Sequence, residues 1–105
     1  MAHIALTIKE FELGVKVSDK LIAAGHEVEF LEKPDQLNQD TKVLVISTTI
    51  SQDLLKLCDD VYVIGYADSH TKEEMENWKS RGFNRVILRS TLIKNLPTIL
   101  DQILA

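Results

Sequence analysis

The chain has 105 residues, 45% apolar and 27% charged, with a net charge of −4. That length supports one hydrophobic core and is too short for two, and the balance excludes disordered and collagen-like chains, so a single domain over residues 1–105 is expected. The longest apolar runs, such as VLVI and VIL, fall far short of the ~20 residues of a bilayer span. MAHIALTIKEFE carries acids where a signal peptide would continue its apolar core, so a cytoplasmic protein with no membrane partner is expected.

HIALTI is a short apolar run with β-branched residues and reads as the first strand. In FELGVKVSDKLIAAGHEVEFLE the period changes. Leu13, Val17 and Leu21 fall at i, i+4 and i+8 with Ala24 three further on, which makes one helical stripe, and Gly25 supplies the left-handed stop. HEVEFL follows as strand two. KPDQLNQDT, with a proline and Asx residues but one leucine, supports a turn or a single helical turn. KVLVIS, strand three, is almost continuously apolar, as expected of a parallel strand buried on both faces. SQDLLKLCDD offers Ser51 as a cap and about two turns of helix, and VYVIGYA is strand four.

SHTKEEMENWKSRGFN carries the clearest local signal. Thr71 and Glu74 form an S/T-x-x-E capping box, Met75 and Trp78 share a helical face, and Gly82 ends the helix. RVILR is strand five. STLIKNLPTILDQILA closes with a helix whose stripe is Leu96, Ile99, Leu100, Ile103 and Leu104. Pro97 cannot donate to a helical bond and clashes with the carbonyl four residues back, so this helix either starts near Asn95 or kinks at the proline.

Strict alternation of strands and helices implies an α/β domain with a doubly wound parallel sheet of five strands, joined by right-handed crossovers, in the order 2-1-3-4-5. Such sheets keep ligands at the carboxyl edge, beside the switch between strands one and three. The polar residues expected there are Lys9 and Glu10, Ser47 to Thr49, Asp68 to His70, and Arg89 to Thr91. No glycine-rich phosphate cradle follows strand one. The acid pairs Asp59–Asp60 and Glu73–Glu74 are adjacent in sequence, which suits solvation and helix starts better than paired acid–base work. Hydroxyls alone catalyse little, and Ser47 has no base assigned to activate it. His70 lies beyond strand four on a loop before a helix cap and reads as an exposed structural residue. The single cysteine, Cys58, reads as core, and no metal site, cofactor or catalytic residue is expected.

Charge is unevenly spread. Residues 1–76 hold seven bases against fifteen acids, whereas residues 77–105 hold Lys79, Arg81, Arg85, Arg89 and Lys94 against Asp101 alone. The basic zone reads either as a solvated face or as a docking surface. With no aromatic platform and an acidic body, nucleic acid is not an expected partner.

VIGYADSHTKEEMENWKSRGFNRVILRSTLIKNLPTIL resembles the last two βα units of response-regulator receiver domains, which have a flavodoxin-like fold. There a strand ends in a hydroxyl followed by alanine, a helix ends at glycine, and the next strand ends in lysine. On that pattern Tyr66 takes the switch-hydroxyl position, Ala67 the alanine, Gly82 the helix stop and Arg89 the lysine. LIAAGHEVEF is similar to the receiver's first helix ending and second strand. The resemblance places Ser47 on the phosphoacceptor aspartate and Lys9 and Glu10 on the metal-binding acid pair; the segments carrying the second and third helices are shorter than a receiver's. Phosphotransfer to a receiver needs a carboxylate nucleophile and hard oxygen ligands for Mg²⁺, so a receiver-like domain without phosphorylation is the implied state. KEFELGVKVSDKLIAAGHEVEF is also similar to the first βαβ unit of cobalamin-binding domains. Gly14 matches that family's motif, but Lys9 stands at its aspartate and Phe11 at its cobalt-ligating histidine, and a phenyl ring cannot ligate a metal.

Two functions follow as expectations. The first is a pseudo-receiver that regulates through protein contacts, by forming a homodimer or docking an acidic protein, with Trp78, Lys79, Arg81, Arg85 and Lys94 as the surface. The resemblance implies that face, since receiver-like domains commonly dock partners there. The second is a domain binding a small molecule or oxyanion (phosphate, nucleotide or a corrinoid-like group) at the carboxyl edge, with Lys9, Glu10, Ser47, Thr48, Thr49, Asp68 and Arg89 as candidates. Arginine presents a fork suited to phosphate or carboxylate; the alternative for Arg89 is an ion pair with Glu10 or Asp68.

Overall fold

The computed structural model describes residues 3–8, 10–31, 40–48, 61–68, 71–80 and 82–104. In chain order the elements are β1 (His3–Thr7), α1 (Phe11–Ala23), β2 (Glu27–Phe30), β3 (Thr41–Ser47), β4 (Tyr62–Ala67), α2 (Lys72–Ser80), β5 (Arg85–Leu88) and α3 (Arg89–Leu104). The strands form one sheet in the order β2-β1-β3-β4-β5, with parallel pairing throughout. This is the arrangement expected from the alternation of elements. The turn or single helical turn expected at 33–41 lies outside the described residues except for Asp40 and Thr41, and the short helix expected at 51–60 lies wholly outside them, as do Cys58 and His70.

The period of two in each strand sorts its side chains between two cores. Ile4 and Leu6, Val43 and Val45, Ile64 and Tyr66, and Ile87 face α1 and α3, where Leu13, Val17 and Leu21 meet Leu92, Leu96, Ile99 and Leu100. Ala5, Leu44, Ile46, Val63 and Val86 face the other way, toward Trp78, Phe83 and Leu31. Because both faces are covered, Val43 to Ile46 is buried without a break. That explains why this strand reads as an apolar run and not as an alternation.

Both glycine stops are confirmed. Gly25 has φ 91° and Gly82 has φ 106°. After α1, the Gly25 N–H donates to the Ile22 carbonyl and His26 N–H to Leu21; after α2, Gly82 N–H donates to Lys79 and Phe83 N–H to Trp78. These are paired Schellman bonds, and the left-handed residue they need is cheapest as glycine. The Thr71 half of the expected capping box is made, with Glu74 N–H donating to Thr71 Oγ1 at 3.1 Å.

The last helix begins at Arg89, directly after β5, and continues through Pro97, so of the two expected arrangements the start near Asn95 is not found, and the strand stops one residue short of Arg89. An interior proline costs about 3 kcal/mol. Leu92 and Leu96 lie on the N-terminal side of Pro97 and are fully buried, and a buried leucine contributes ~1.5–3 kcal/mol. Keeping those two leucines on the sheet therefore outweighs the proline. Thr91 Oγ1, donating to the Leu88 carbonyl at 3.0 Å, fastens the abrupt turn from strand to helix.

Candidate functional site

The carboxyl ends of β1, β4 and β5 open into a cleft of about 680 Å³ between the starts of α1 and α3. Glu10, Asp68 and Arg89 reach it, with Phe11, Leu13 and Ile93 as its apolar walls. Three of the seven candidate ligand residues therefore meet at one place. Ser47 and Thr48 are not among the cleft's described walls; both are buried at the end of β3. Their burial follows from β3 being the central strand, covered on both faces. Lys9 and Thr49 lie outside the described residues.

Glu10 is the N-cap of α1, with extended backbone (φ −79°, ψ 111°), yet its side chain makes no capping bond to the helix. Its carboxylate accepts a hydrogen bond from the Tyr66 hydroxyl, 2.9 Å from Oε2. Tyr66 is only 3% exposed, packs under α1 and α3, and is the register partner of Ser47. Its backbone carbonyl also accepts from Thr48 N–H at 3.2 Å. A phenol bonded to a carboxylate is a charge-assisted pair, and it ties β4 to the β1–α1 junction across the mouth of the switch point.

Arg89 pairs with Asp68 and not with Glu10: Nη1 lies 3.4 Å from Oδ1. Arg89 is 43% exposed and Asp68 84%, so the arginine is a rim residue. The cause is the early start of α3, which carries Arg89 into a first helical turn facing solvent. A long, exposed pair of this kind is worth ~0–1 kcal/mol and leaves the guanidinium available to a ligand.

The expected interaction surface divides. Lys79 on α2, Arg85 on β5 and Lys94 on α3 are exposed, and α2 and α3 both pack against β5, so these cations flank the β5 edge of the sheet. Arg81 lies outside the described residues. Trp78 is 8% exposed and sits in the core with Phe83 and Val86, so it is a packing residue and not an apolar contact offered to a partner. Its place on the inner face of α2, the face it shares with Met75, is the reason.

Two features escaped the sequence reading. The first is a cluster of His3, Glu27 and Glu29 at the amino end of β1; its only sequence signal was a pair of acids two residues apart in HEVEF. The second is an apolar strip, since every exposed large apolar side chain among the described residues lies on α1 (Phe11, Val15, Ile22) or on Phe30 of β2. Phe11, Val15 and Ile22 fall at 4-residue and 7-residue spacings on α1, beside the stronger Leu13–Val17–Leu21 stripe that enters the core.

No protein-family profile matches the chain, and no curated protein matches it. Solved structures do. The chain superimposes on an orphan response regulator of H. pylori with a TM-score of 0.82 at 18% identity, covering 99% of this chain and 97% of that one. It matches a streptococcal protein from a family of redox sensors evolved from two-component response regulators with a TM-score of 0.82 at 20% identity. That match covers 98% of this chain and 51% of the other, so the chain spans about half the length of that protein. The regulatory domain of the repressor of iron transport regulator, in its inactive form, matches with a TM-score of 0.80 at 20% identity, over 99% of this chain and 95% of that domain. No described helix is long and apolar enough to cross a membrane. The chain has the fold of response-regulator receiver domains.

Proposed function

We propose that residues 1–105 act as one receiver-like regulatory domain that is not phosphorylated and works through protein contacts in the cytoplasm. The observation that carries this reading is the pairing of Ser47 with Tyr66. The strand end that the resemblance matches to the phosphoacceptor holds a buried hydroxyl, and the adjoining acid, Glu10, is already engaged by the Tyr66 phenol. Phosphotransfer to a receiver needs a carboxylate nucleophile, which a serine hydroxyl does not supply, and a single acid bonded to tyrosine is a poor Mg²⁺ site. The orphan response regulator and the redox sensors evolved from two-component response regulators, both of this fold, support a regulatory role. Incubation with acetyl phosphate and Mg²⁺ should leave the intact mass unchanged; a stable gain of one phosphoryl group that Ser47→Ala abolishes would overturn the reading.

The contacts are assigned to the β5 edge, with Lys79, Arg85 and Lys94 meeting a second copy or an acidic protein. Like charges repel across a two-fold, so a homodimer there has to cross each cation with acids such as Glu73 or Glu76 of α2. Association should weaken from about 50 to 500 mM salt, as the Debye length falls from roughly 14 to 4 Å. Sedimentation of wild type and Lys79→Glu/Arg85→Glu tests the homodimer: a monomer at every salt concentration removes it, and a dimer indifferent to both changes moves the interface elsewhere.

A second reading is favoured by the half-exposed Arg89 guanidinium over the cleft. It takes the cleft as an oxyanion site, with Asp68 as the counter-charge that a bound phosphate or carboxylate displaces. The corrinoid form of this reading has only Gly14 in its favour: Phe11, at the position of the ligating histidine, is 83% exposed on the cleft wall.

A further inference from the structure

Among the described residues β2 is an outer strand of the sheet, four residues long, and pairs with β1 alone. So short an edge has few ladder bonds to hold it. Glu27 and Glu29 are two residues apart, so their side chains lie on one face of the strand. His3 of β1 is in register with Glu27 and reaches both acids: Nε2 is 3.0 Å from Glu29 Oε2, and Nδ1 is 3.4 Å from Glu27 Oε2.

The donor count decides what this geometry means. A carboxylate only accepts, and a neutral imidazole has a single N–H, so one ring can donate to both acids only as the imidazolium. In the neutral ring, one nitrogen turns a lone pair toward a carboxylate, which is repulsive. We propose that His3 is a pH-operated clip on the edge strand, bridging Glu27 and Glu29 and holding β2 on β1 while protonated, and releasing one of them when it loses its proton.

The hydrogen bond to Glu29 raises the His3 imidazole above its ordinary value of 6.5; partial burial pulls it back, and the Glu27 bond and the charges of both carboxylates raise it further. From β3, on the other side of β1, Asp40 and Lys42 come to the same end of the sheet. They are exposed and of opposite sign, so they largely offset one another. A folded-state pKa raised in this way makes the clip fully effective below about pH 6.5 and removes it as the pH rises through the higher folded value. What opens is consequential. Leu31 N–H donates to the Leu6 carbonyl beyond the strand, and the Phe30 ring lies against Gly14, where a Cβ would come within 3.2 Å of Cε1. Release of β2 bares the backbone edge of β1 and lifts Phe30 from α1.

Two NMR measurements on the whole chain test the clip. Ring-carbon shifts of the three histidines followed with pH, with His3 assigned by its loss in His3→Gln, should place its midpoint above 6.5. Hydrogen exchange of the β2 amides, corrected for intrinsic rates, should show protection falling tenfold for each pH unit by which that midpoint exceeds 6.5. Protection in β3 and β4 should stay constant, and the β2 fall should vanish in His3→Gln and shrink in Glu29→Gln. A His3 midpoint at or below 6.5 overturns the proposal. So does a raised midpoint with flat β2 protection, or a fall that persists unchanged in His3→Gln.

Discussion

The two ends of β1 each carry a hydrogen-bonded polar pairing, and they differ in burial. At the carboxyl end the Tyr66 phenol, inside the core, meets Glu10; at the amino end the His3 ring, at the edge of the sheet, meets Glu27 and Glu29. The first contact comes with the apolar packing of an aromatic ring, so its loss carries the cost of a cavity as well as of a bond. The second rests on charge in water, so it depends on pH and salt. One strand thus has a permanent anchor at one end and a conditional one at the other.

The largest effect belongs to the buried end. Tyr66→Ala should destabilise the fold by about 3–5 kcal/mol, the range for emptying an aromatic site. Tyr66→Phe keeps the ring and removes only the hydroxyl, and should cost about 1–3 kcal/mol, because Glu10 then loses a charge-assisted partner. Urea unfolding of both, together with a Tyr66→Phe/Glu10→Gln cycle, checks the division: coupling near zero would mean that the bond ties nothing. The smallest effect belongs to the rim. Arg89→Met should change stability by less than about 1 kcal/mol, since its partner is 3.4 Å away and exposed. If the cleft serves an anion, the same variant should lose phosphate affinity in calorimetry with little change in unfolding midpoint. A loss of several kcal/mol would place Arg89 with the buried anchor instead.

Much of this architecture was legible before any coordinates. The S-H-T-K-E-E sequence capped α2 through Thr71, Gly25 and Gly82 ended their helices, and the unbroken VLVI run announced a strand covered on both faces. Such signals are local, arising within one turn or one strand. At Pro97 the local rule left two arrangements open, a start near Asn95 or a helix continuing through the proline, and burial of Leu92 and Leu96 decided for continuation. The helix start at Arg89 carried that residue out of strand five and onto the rim. Trp78, expected on the docking surface, is core because α2 seats it on the sheet.

Element order and type, and through the alternation of strands and helices the 2-1-3-4-5 sheet itself, were determined by the sequence, because periodicity, caps and crossover handedness are properties of short segments and their succession. Tertiary structure alone decided which polar groups meet. Tyr66 faces Glu10 across 56 positions of chain, and His3 bridges acids 24 and 26 residues away. Those meetings depend on parallel register, and a slip of one residue turns every side chain of a strand to its other face. The burial of two opposed cores sets that register, and no segment of this chain carries it alone.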